Sequence, residues 1–472
     1  MKTRIIFQAL MLSGFMLSLC GAAERYPRVH GYGIEAEFYP EQARMEARAS
    51  VAFDSECYPL DEVTFYLHGE LRVDSILIGG KSTEFKQDVV FYQYNYALVA
   101  LKCDFNMENV TPGDKIDIYY SGYFHPSQAS SPSDYMRIDE TGVYLRAYGY
   151  SLWFPLFLEA GKDDYQIDFE PVILKTPVGF HAVFVGDRLG DETVGNWQVS
   201  EWSAPNLSLF YAQCTASRFE IYKQDNLMIY HWRDSASTAM AIEIADFAGQ
   251  LEQEYRERYN SKISGGQMHI VEMPKYGDIA SGNMIGIADE VWLNFVNETW
   301  PKTTLAHELV HRFVKVDIPR SNPLYALAIE GFPTYFDDPV LGDILGGDWY
   351  EKHMEETEKR YLKYKTTGVS RRGRKLPVEK PLDQIAPDEI GDYKDLFILS
   401  DRAPLFLNYL RSKAGEDNFN RFCKALFESR KMDNESFRKM AAEFTGVSRS
   451  DIDLWLSTND YPERFHLQNL KQ

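Results

Sequence analysis

The sequence predicts an α+β protein of two domains, in which a β-rich half is followed by a mainly helical half. Three observations predict this class. The chain has 472 residues, more than one ordinary domain contains. Its first half alternates short apolar runs with turn signals. Its second half repeats apolar residues every three or four positions, the period of a helix. We expect a β-sandwich or saddle over residues 24–225 and a second domain over residues 226–472.

A basic and then apolar segment precedes the first domain. Lys2 and Arg4 are followed by the mostly apolar residues 5–19 and then by small residues, the pattern of a cleaved export signal. We expect residues 1–23 to be this signal, and the mature protein to be exported to the periplasm or the cell exterior. Cys20 leaves a lipid anchor at the N-terminus as an alternative. The apolar stretch is shorter than the roughly 20 residues that span a bilayer, so we expect no transmembrane span in the mature chain.

Composition and charge exclude several classes of protein. Apolar residues make up 44% and charged residues 25%, as in soluble globular proteins rather than disordered ones. The formal net charge of -20 repels phosphate, so we expect no nucleic-acid partner. Four cysteines follow the signal at spacings without a zinc-ribbon pattern, namely Cys57, Cys103, Cys214 and Cys423. A disulfide between Cys57 and Cys103 and buried free thiols are both compatible with this spacing.

The elements follow from the local patterns. Residues 51–53, 63–67 and 96–101 are apolar runs and residues 115–120 alternate, which predicts strands. A helix is predicted over residues 237–259, because apolar side chains recur there on one face. That stripe consists of Met240, Ile244, Phe247, Leu251 and Tyr255. We expect a strand at 267–273 and helical segments around 301–315, 323–340, 347–365, 400–430 and 434–445.

One short motif carries chemistry. Residues 307–311 read His-Glu-Leu-Val-His, within a predicted helix that Pro301 would begin. Positions i and i+4 share a helix face, so both imidazoles can reach one metal ion. Two neutral nitrogen donors suit zinc, and Glu308 lies beside them to take a proton from water. We expect one zinc ion per chain.

Zinc requires a third protein ligand. Glu330 follows His311 after 18 residues, on a second apolar helical segment. A hairpin of two helices would bring its carboxylate to His307 and His311. Thr334, one turn later, is either an ordinary helix residue or a support for a ligand. Pro333 lacks an N–H group for the helix and should kink or restart it there.

These residues resemble a known family. The histidine motif, the 18-residue spacing and Glu330-Gly331-Phe332 are similar to the gluzincin metallopeptidases of the alanyl-aminopeptidase type. The segment 270–274 with the loop 282–286, Trp153-Phe154-Pro155, Gly415 with its following turn and the segment 453–456 also resemble that family. The similarity covers roughly residues 26–465, and the chain looks like a divergent, short member without the large helical C-terminal domain.

The resemblance implies a thermolysin-like, mainly helical catalytic domain that hydrolyses peptide bonds. His307, His311 and Glu330 would hold zinc, and Glu308 would be the general base. Gly282, Asn283 and Met284 would bind the peptide substrate. The alternative is a catalytically impaired zinc-site protein that binds peptides or surface polymers.

Two departures from the family pattern affect specificity and rate. Ile285 stands where the family has an acid for the free amino terminus of the substrate, which leaves aminopeptidase and endopeptidase activity both open. The nearest acids in sequence are Glu272 and Asp289. Ser400 stands at the position of the family's oxyanion-binding tyrosine, counted back from Gly415. Tyr393, seven residues earlier, is our candidate for that donor.

Overall fold

The structure is a computed structural model. It describes residues 28–54, 62–93, 97–107, 110–111, 113–124, 136–145, 152–157, 166–208, 211–233, 235–259, 266–274, 279–314, 318, 321–369, 378–390, 398–429 and 432–470. The expected export signal, Cys20 and Tyr393 lie outside these ranges, so the structure does not bear on them.

Strands make up most of the described residues up to Trp232, and three more follow within the second half of the chain. In chain order they are β1 Val29–Tyr39, β2 Arg44–Phe53, β3 Glu62–His68, β4 Leu71–Ile78, β5 Lys81–Thr83, β6 Phe85–Gln93, β7 Ala97–Asn106, β8 Ile116–Tyr123, β9 Met136–Asp139, β10 Gly142–Leu145, β11 Gln166–Pro177, β12 His181–Phe184, β13 Asp187–Val194, β14 Trp197–Ser208, β15 Cys214–Ser217, β16 Phe219–Gln224, β17 Leu227–Trp232, β18 Met268–Met273, β19 Ile279–Ser281 and β20 Met284–Ala288.

Within the described residues, the α-helices follow β17. They are α1 Ser235–Tyr259, α2 Asp289–Leu293, α3 Trp300–Phe313, α4 Phe332–Leu345, α5 Trp349–Thr367, α6 Ala403–Ala414, α7 Glu416–Glu428, α8 Asn434–Thr445, α9 Arg449–Ser457 and α10 Leu467–Leu470. Two π-helical turns precede helices: Leu327–Gly331 leads into α4, and Ile398–Arg402 leads into α6.

The chain divides into two compact units. The first comprises residues 1–162, 166–178 and 189–208, and the second comprises residues 163–165, 179–188 and 209–472. The described residues thus form several β-sheets together with α-helices, as expected for an α+β protein. The domain boundary predicted near residue 225 stays a prediction.

The first unit is built from β-sheets. Its larger sheet runs β13-β14-β11-β1-β2-β8-β4-β5, and a smaller one runs β3-β7-β6. In β2 buried and exposed side chains alternate, as expected for a strand with one covered face. Trp153 and Phe154 are buried beneath the sheet residue Tyr32, whose hydroxyl donates to the carbonyl of Pro155 at 2.6 Å. These aromatic side chains supply much of the apolar area that this unit buries.

The second unit places helices against a five-stranded sheet. The strand order is β16-β17-β18-β20-β19, with the central strands β17, β18 and β20 parallel. The core side chains of α1 are Ile244, Phe247, Leu251 and Tyr255, as the predicted stripe requires. β19 forms an antiparallel edge of this sheet.

The predicted helices occur, with two corrections. The segment expected around 400–430 is broken at Gly415, whose φ of 72° ends α6 before α7 begins. The segment expected around 323–340 begins instead as the π-helical turn Leu327–Gly331 and continues as α4. Pro333 is the second residue of α4, so it lies where the π-helical turn gives way to the α-helix, and the chain stays helical there.

Two further expectations concern the thiols and the membrane. Cys103, Cys214 and Cys423 are buried free thiols, and Cys57 lies outside the described residues. Every helix that the structure describes is too short or too polar to cross a lipid bilayer.

Candidate metal centre

Helix α3 presents two histidines on one side and packs the other into the core. Leu305, Leu309 and Phe313 are buried among the hydrophobic side chains of the second unit. His307 and His311 lie on the opposite face, with side chains 16% and 21% exposed. The helical period thus fixes which residues meet solvent and which meet the core.

The second helical segment brings a carboxylate to these imidazoles. The Nε2 atoms of His307 and His311 are 3.3 Å apart. Oε2 of Glu330 lies 3.5 Å from the first and 3.9 Å from the second. Three atoms of the ligand types that sequence analysis predicted therefore converge on one point.

This arrangement fits zinc. Donor atoms that bind zinc tetrahedrally at about 2.0–2.2 Å lie about 3.3–3.6 Å from one another. The separations within the cluster are 3.3, 3.5 and 3.9 Å, so only a small movement of Glu330 would complete the geometry. Two imidazoles and one carboxylate leave a fourth position open, as in catalytic zinc sites.

Glu330 is delivered by the π-helical turn. A π-helical turn inserts an extra residue into a helix and shifts the direction of its side chains, which is why such turns often occur at functional sites. Gly331 follows Glu330 and lies close to α6: an added Cβ would be 2.7 Å from Cδ1 of Leu327 and 2.8 Å from Cβ of Ala403. The absence of a side chain at Gly331 therefore lets the turn approach α6.

The structure also identifies a carboxylate that sequence analysis missed. Oδ2 of Asp337 lies 3.9 Å from Nδ1 of His307, on the side of the ring away from Glu330. Asp337 follows Glu330 by seven residues, two turns of helix, and that spacing was the signal available in the sequence. The hydroxyl of Thr334 donates instead to the backbone carbonyl of Glu330 at 2.7 Å, so Thr334 is an ordinary helix residue.

Asp337 belongs to a buried group of acids. Burial, and next the adjacent Asp338 carboxylate, raises the pKa of Asp337 well above its ordinary value. Burial also raises the pKa of Asp338 to about 8. Oδ1 of Asp338 lies 3.2 Å from Nε2 of His353 on α5. This group links the metal centre to α5.

Glu308 is a buried carboxylate of α3. It lies on α3 between the two histidines in sequence and is only 6% exposed. Burial strengthens the interaction of a carboxylate with a nearby cation or proton donor. Its role as general base stays a prediction.

The predicted substrate loop is firmly attached to the rest of the second unit. The side-chain oxygen of Asn283 accepts from the backbone N–H of Gly186 at 2.7 Å. Its amide nitrogen donates to the carbonyls of Gly186 and Gln267, both at 2.8 Å. Gly282 has a positive φ of 55° in the turn before β20, and Met284 is fully buried. The substrate-binding role of these residues stays a prediction.

The residues considered for the substrate's amino end are differently placed. Ile285 is 2% exposed and packs in the core. Glu272 is 1% exposed, and its two carboxylate oxygens accept from the backbone N–H of Trp232 and the hydroxyl of Ser237. Asp289 begins α2 and accepts from the N–H of Glu290. Ile285 therefore supports the sheet.

Ser400 lies in the second π-helical turn, Ile398–Arg402, and is partly buried. Its neighbour Asp401 is fully buried and accepts from Nη2 of Arg360 at 2.8 Å. Because Tyr393 lies outside the described residues, its predicted role as an oxyanion donor is not tested by the structure.

Comparison with known proteins places the fold. No family model matches the sequence, and no curated protein matches it either. Among solved structures, an M1 zinc metallopeptidase mutant from Deinococcus radiodurans bound to a Tyr-Ser-Ala substrate superimposes with a TM-score of 0.66 at 14% identity. That match covers 93% of this chain and 96% of the other.

Two further structures agree with this match. The M1 zinc metallopeptidase from Deinococcus radiodurans without the mutation gives a TM-score of 0.62 at 14% identity over the same shares. Native yeast LTA4 hydrolase gives a TM-score of 0.67 at 15% identity and covers 93% of this chain and 69% of the other. The chain therefore has the fold of the M1 zinc metallopeptidases.

Proposed function

We propose that this protein is a zinc-dependent metallopeptidase that hydrolyses peptide bonds. The observation that carries the proposal is the cluster of His307, His311 and Glu330, whose donor atoms lie within 4.8 Å of one another. The fold shared with M1 zinc metallopeptidases supports it. The predicted catalytic domain is residues 226–472, and one zinc ion per chain is the expected cofactor.

Each side chain of the centre has a distinct task in this proposal. Bound zinc would lower the pKa of a water molecule at its open position and polarise the peptide carbonyl. Glu308 accepts the proton of the attacking water and passes it to the leaving amine. Asp337 faces Nδ1 of His307 and favours the ring form that leaves Nε2 free for the metal.

We further propose roles for the N-terminal segment and for the residues that would contact the substrate. The segment 1–23 would direct export to the periplasm or cell exterior, with Cys20 as an alternative lipid anchor. Gly282, Asn283 and Met284 would line the peptide path, and Tyr393 would donate to the oxyanion. Because Ile285 is in the core, another residue would have to bind the free amino terminus of a substrate. We therefore do not propose aminopeptidase specificity.

The test uses the purified protein with peptide pairs that carry free or acetylated N-termini. We expect turnover that a chelator abolishes and added zinc restores. A requirement for the free terminus would indicate an aminopeptidase, and equal rates would indicate an endopeptidase. Absence of chelator-sensitive turnover over a broad peptide pool would contradict the proposal and favour a binding protein.

The ligand set has its own test. His311→Ala should lose most of the zinc and unfold at a lower temperature, because a metal that binds only the folded state stabilises it. His466→Ala, which removes an imidazole stacked on Tyr461, is the matched control and should retain zinc. A full zinc content in His311→Ala would show that the ligand set is wrong.

A further inference from the structure

The first turn of α3 exposes a large apolar side chain. Trp300 is 41% exposed, the most exposed of the eight tryptophans, whereas Trp153, Trp202, Trp292 and Trp455 are fully buried. Leu293 and Val296, in the segment that leads into α3, are also exposed, at 49% and 46%. A ligand that covered such exposed apolar side chains would gain free energy from their burial.

Trp300 lies on the same face of α3 as the metal ligands. At about 100° per residue, the seven residues from Trp300 to His307 turn the helix by about 700°, close to two full turns. The eleven residues to His311 turn it by about 1100°, close to three. Viewed down the helix axis, Trp300 therefore points between the two histidines.

The two hydroxyl groups between Trp300 and His307 are bonded to the backbone. Thr303 and Thr304 are partly exposed, and the hydroxyls of both donate to the backbone carbonyl of Trp300, at 2.8 and 3.1 Å. These bonds turn the hydroxyl groups toward the backbone. They also fix the first turn of the helix that carries the indole.

We propose that Trp300 is a specificity-determining residue, which receives a large apolar or aromatic side chain of the peptide substrate. The inference rests on the proposed peptidase function. Trp300 lies about 10 Å along the axis from His307, at about 1.5 Å per residue. An extended peptide covers that distance in about three residues. For a peptide that runs along α3 from the metal centre, the contact is with a side chain two or three residues from the scissile bond, on one side of it.

The experiment measures peptide binding without turnover. Zinc-loaded Glu308→Gln protein is titrated with acetylated and free peptides in which alanine is replaced by phenylalanine at one position at a time. Calorimetry gives the affinity, and a blue shift of tryptophan emission reports coverage of the indole. We expect about tenfold or tighter binding for phenylalanine at one position, with an emission shift that is absent after Trp300→Ala.

Further variants test whether Trp300 itself causes the preference for phenylalanine. Trp300→Ala, added to Glu308→Gln, should lose the preference while it keeps zinc and thermal stability, and Trp300→Phe should retain most of it. Ile242→Ala, which removes an exposed apolar side chain from α1, should have no effect. An unchanged preference in Trp300→Ala would overturn the assignment of Trp300 alone. Failure of every peptide to bind the zinc-loaded protein would overturn both this inference and the peptidase proposal.

Discussion

The carboxylate of Asp337 lies 3.9 Å from Nδ1 of His307, while Nε2 of the same ring faces Glu330 at 3.5 Å. The imidazole is thus held between a candidate metal ligand and a buried acid. The arrangement leaves Nε2 on the side of Glu330, and an acid that faces Nδ1 favours the proton on that nitrogen.

Asp337→Asn should weaken zinc binding by about 10- to 100-fold, the usual effect of removing a carboxylate behind a histidine ligand. The amide keeps the size of the side chain but cannot ionise. Competition with a chelator of known affinity measures the change. Asp348→Asn, at a residue exposed before α5, is the control. Equal zinc affinity in wild type and Asp337→Asn would mean that Asp337 only fills space.

Glu308→Gln should retain zinc and lose turnover by at least about 100-fold, because the amide cannot accept a proton. Peptide hydrolysis and metal content are measured on the same preparation. Glu298→Gln, on the exposed segment before α3, should hydrolyse peptides at the wild-type rate. A Glu308→Gln variant with more than about a tenth of the wild-type rate would require another residue to activate water.

Gly331→Ala should lower the free energy of unfolding by about 1–3 kcal/mol, because the new methyl group would crowd Leu327 and Ala403. Displacement of the turn should also weaken zinc binding through Glu330. The matched control is Gly249→Ala in α1, where an added Cβ meets nothing within 4 Å. That change should stabilise the protein by up to about 1 kcal/mol. Denaturant unfolding measures the free energy of unfolding of both variants. A Gly331→Ala protein as stable as wild type would show that the turn accommodates a side chain.

His353 predicts a dependence of stability on pH. Burial lowers its pKa to about 4, from 6.5 in an unfolded chain. Between these values the unfolded chain binds a proton that the folded protein does not, so the contribution of His353 is complete above pH 6.5 and is lost as the pH falls through 4. The lowered pKa of His353 changes the free energy of unfolding by at most about 3 kcal/mol over this pH range.

The measurement compares unfolding at pH 7 and at pH 4. Wild type should lose more of its free energy of unfolding on acidification than His353→Gln, since only the wild type carries this imidazole. Both proteins are measured without zinc, so that zinc loss at low pH does not contribute to the difference. His30→Gln, at a side chain that is 72% exposed, is the control and should behave as wild type. Parallel losses in wild type and His353→Gln would contradict the prediction.

Local patterns in the sequence determined much of this protein. The change from strands to helices, the apolar stripe of α1 and the helix that carries His307 and His311 all follow from side-chain period, which is a property of neighbouring residues. An irregularity of the helix at Pro333 was predictable for the same reason, because proline acts on its own turn of helix. The break at Gly415 was missed, since its positive φ ends a helix whose apolar pattern continues.

Only the tertiary structure decided how distant residues meet. The spacing of 18 residues suggested Glu330 as a ligand, but the π-helical turn and the contact of Gly331 with α6 give its carboxylate its position. The roles proposed for Asp337 and Trp300 depend on their positions relative to His307. The core position of Ile285 is not evident from its neighbours in sequence. The physical reason is that the period of apolar residues along the chain determines the face of the helix or strand on which a side chain lies. What that face meets depends on the packing of elements far apart in sequence.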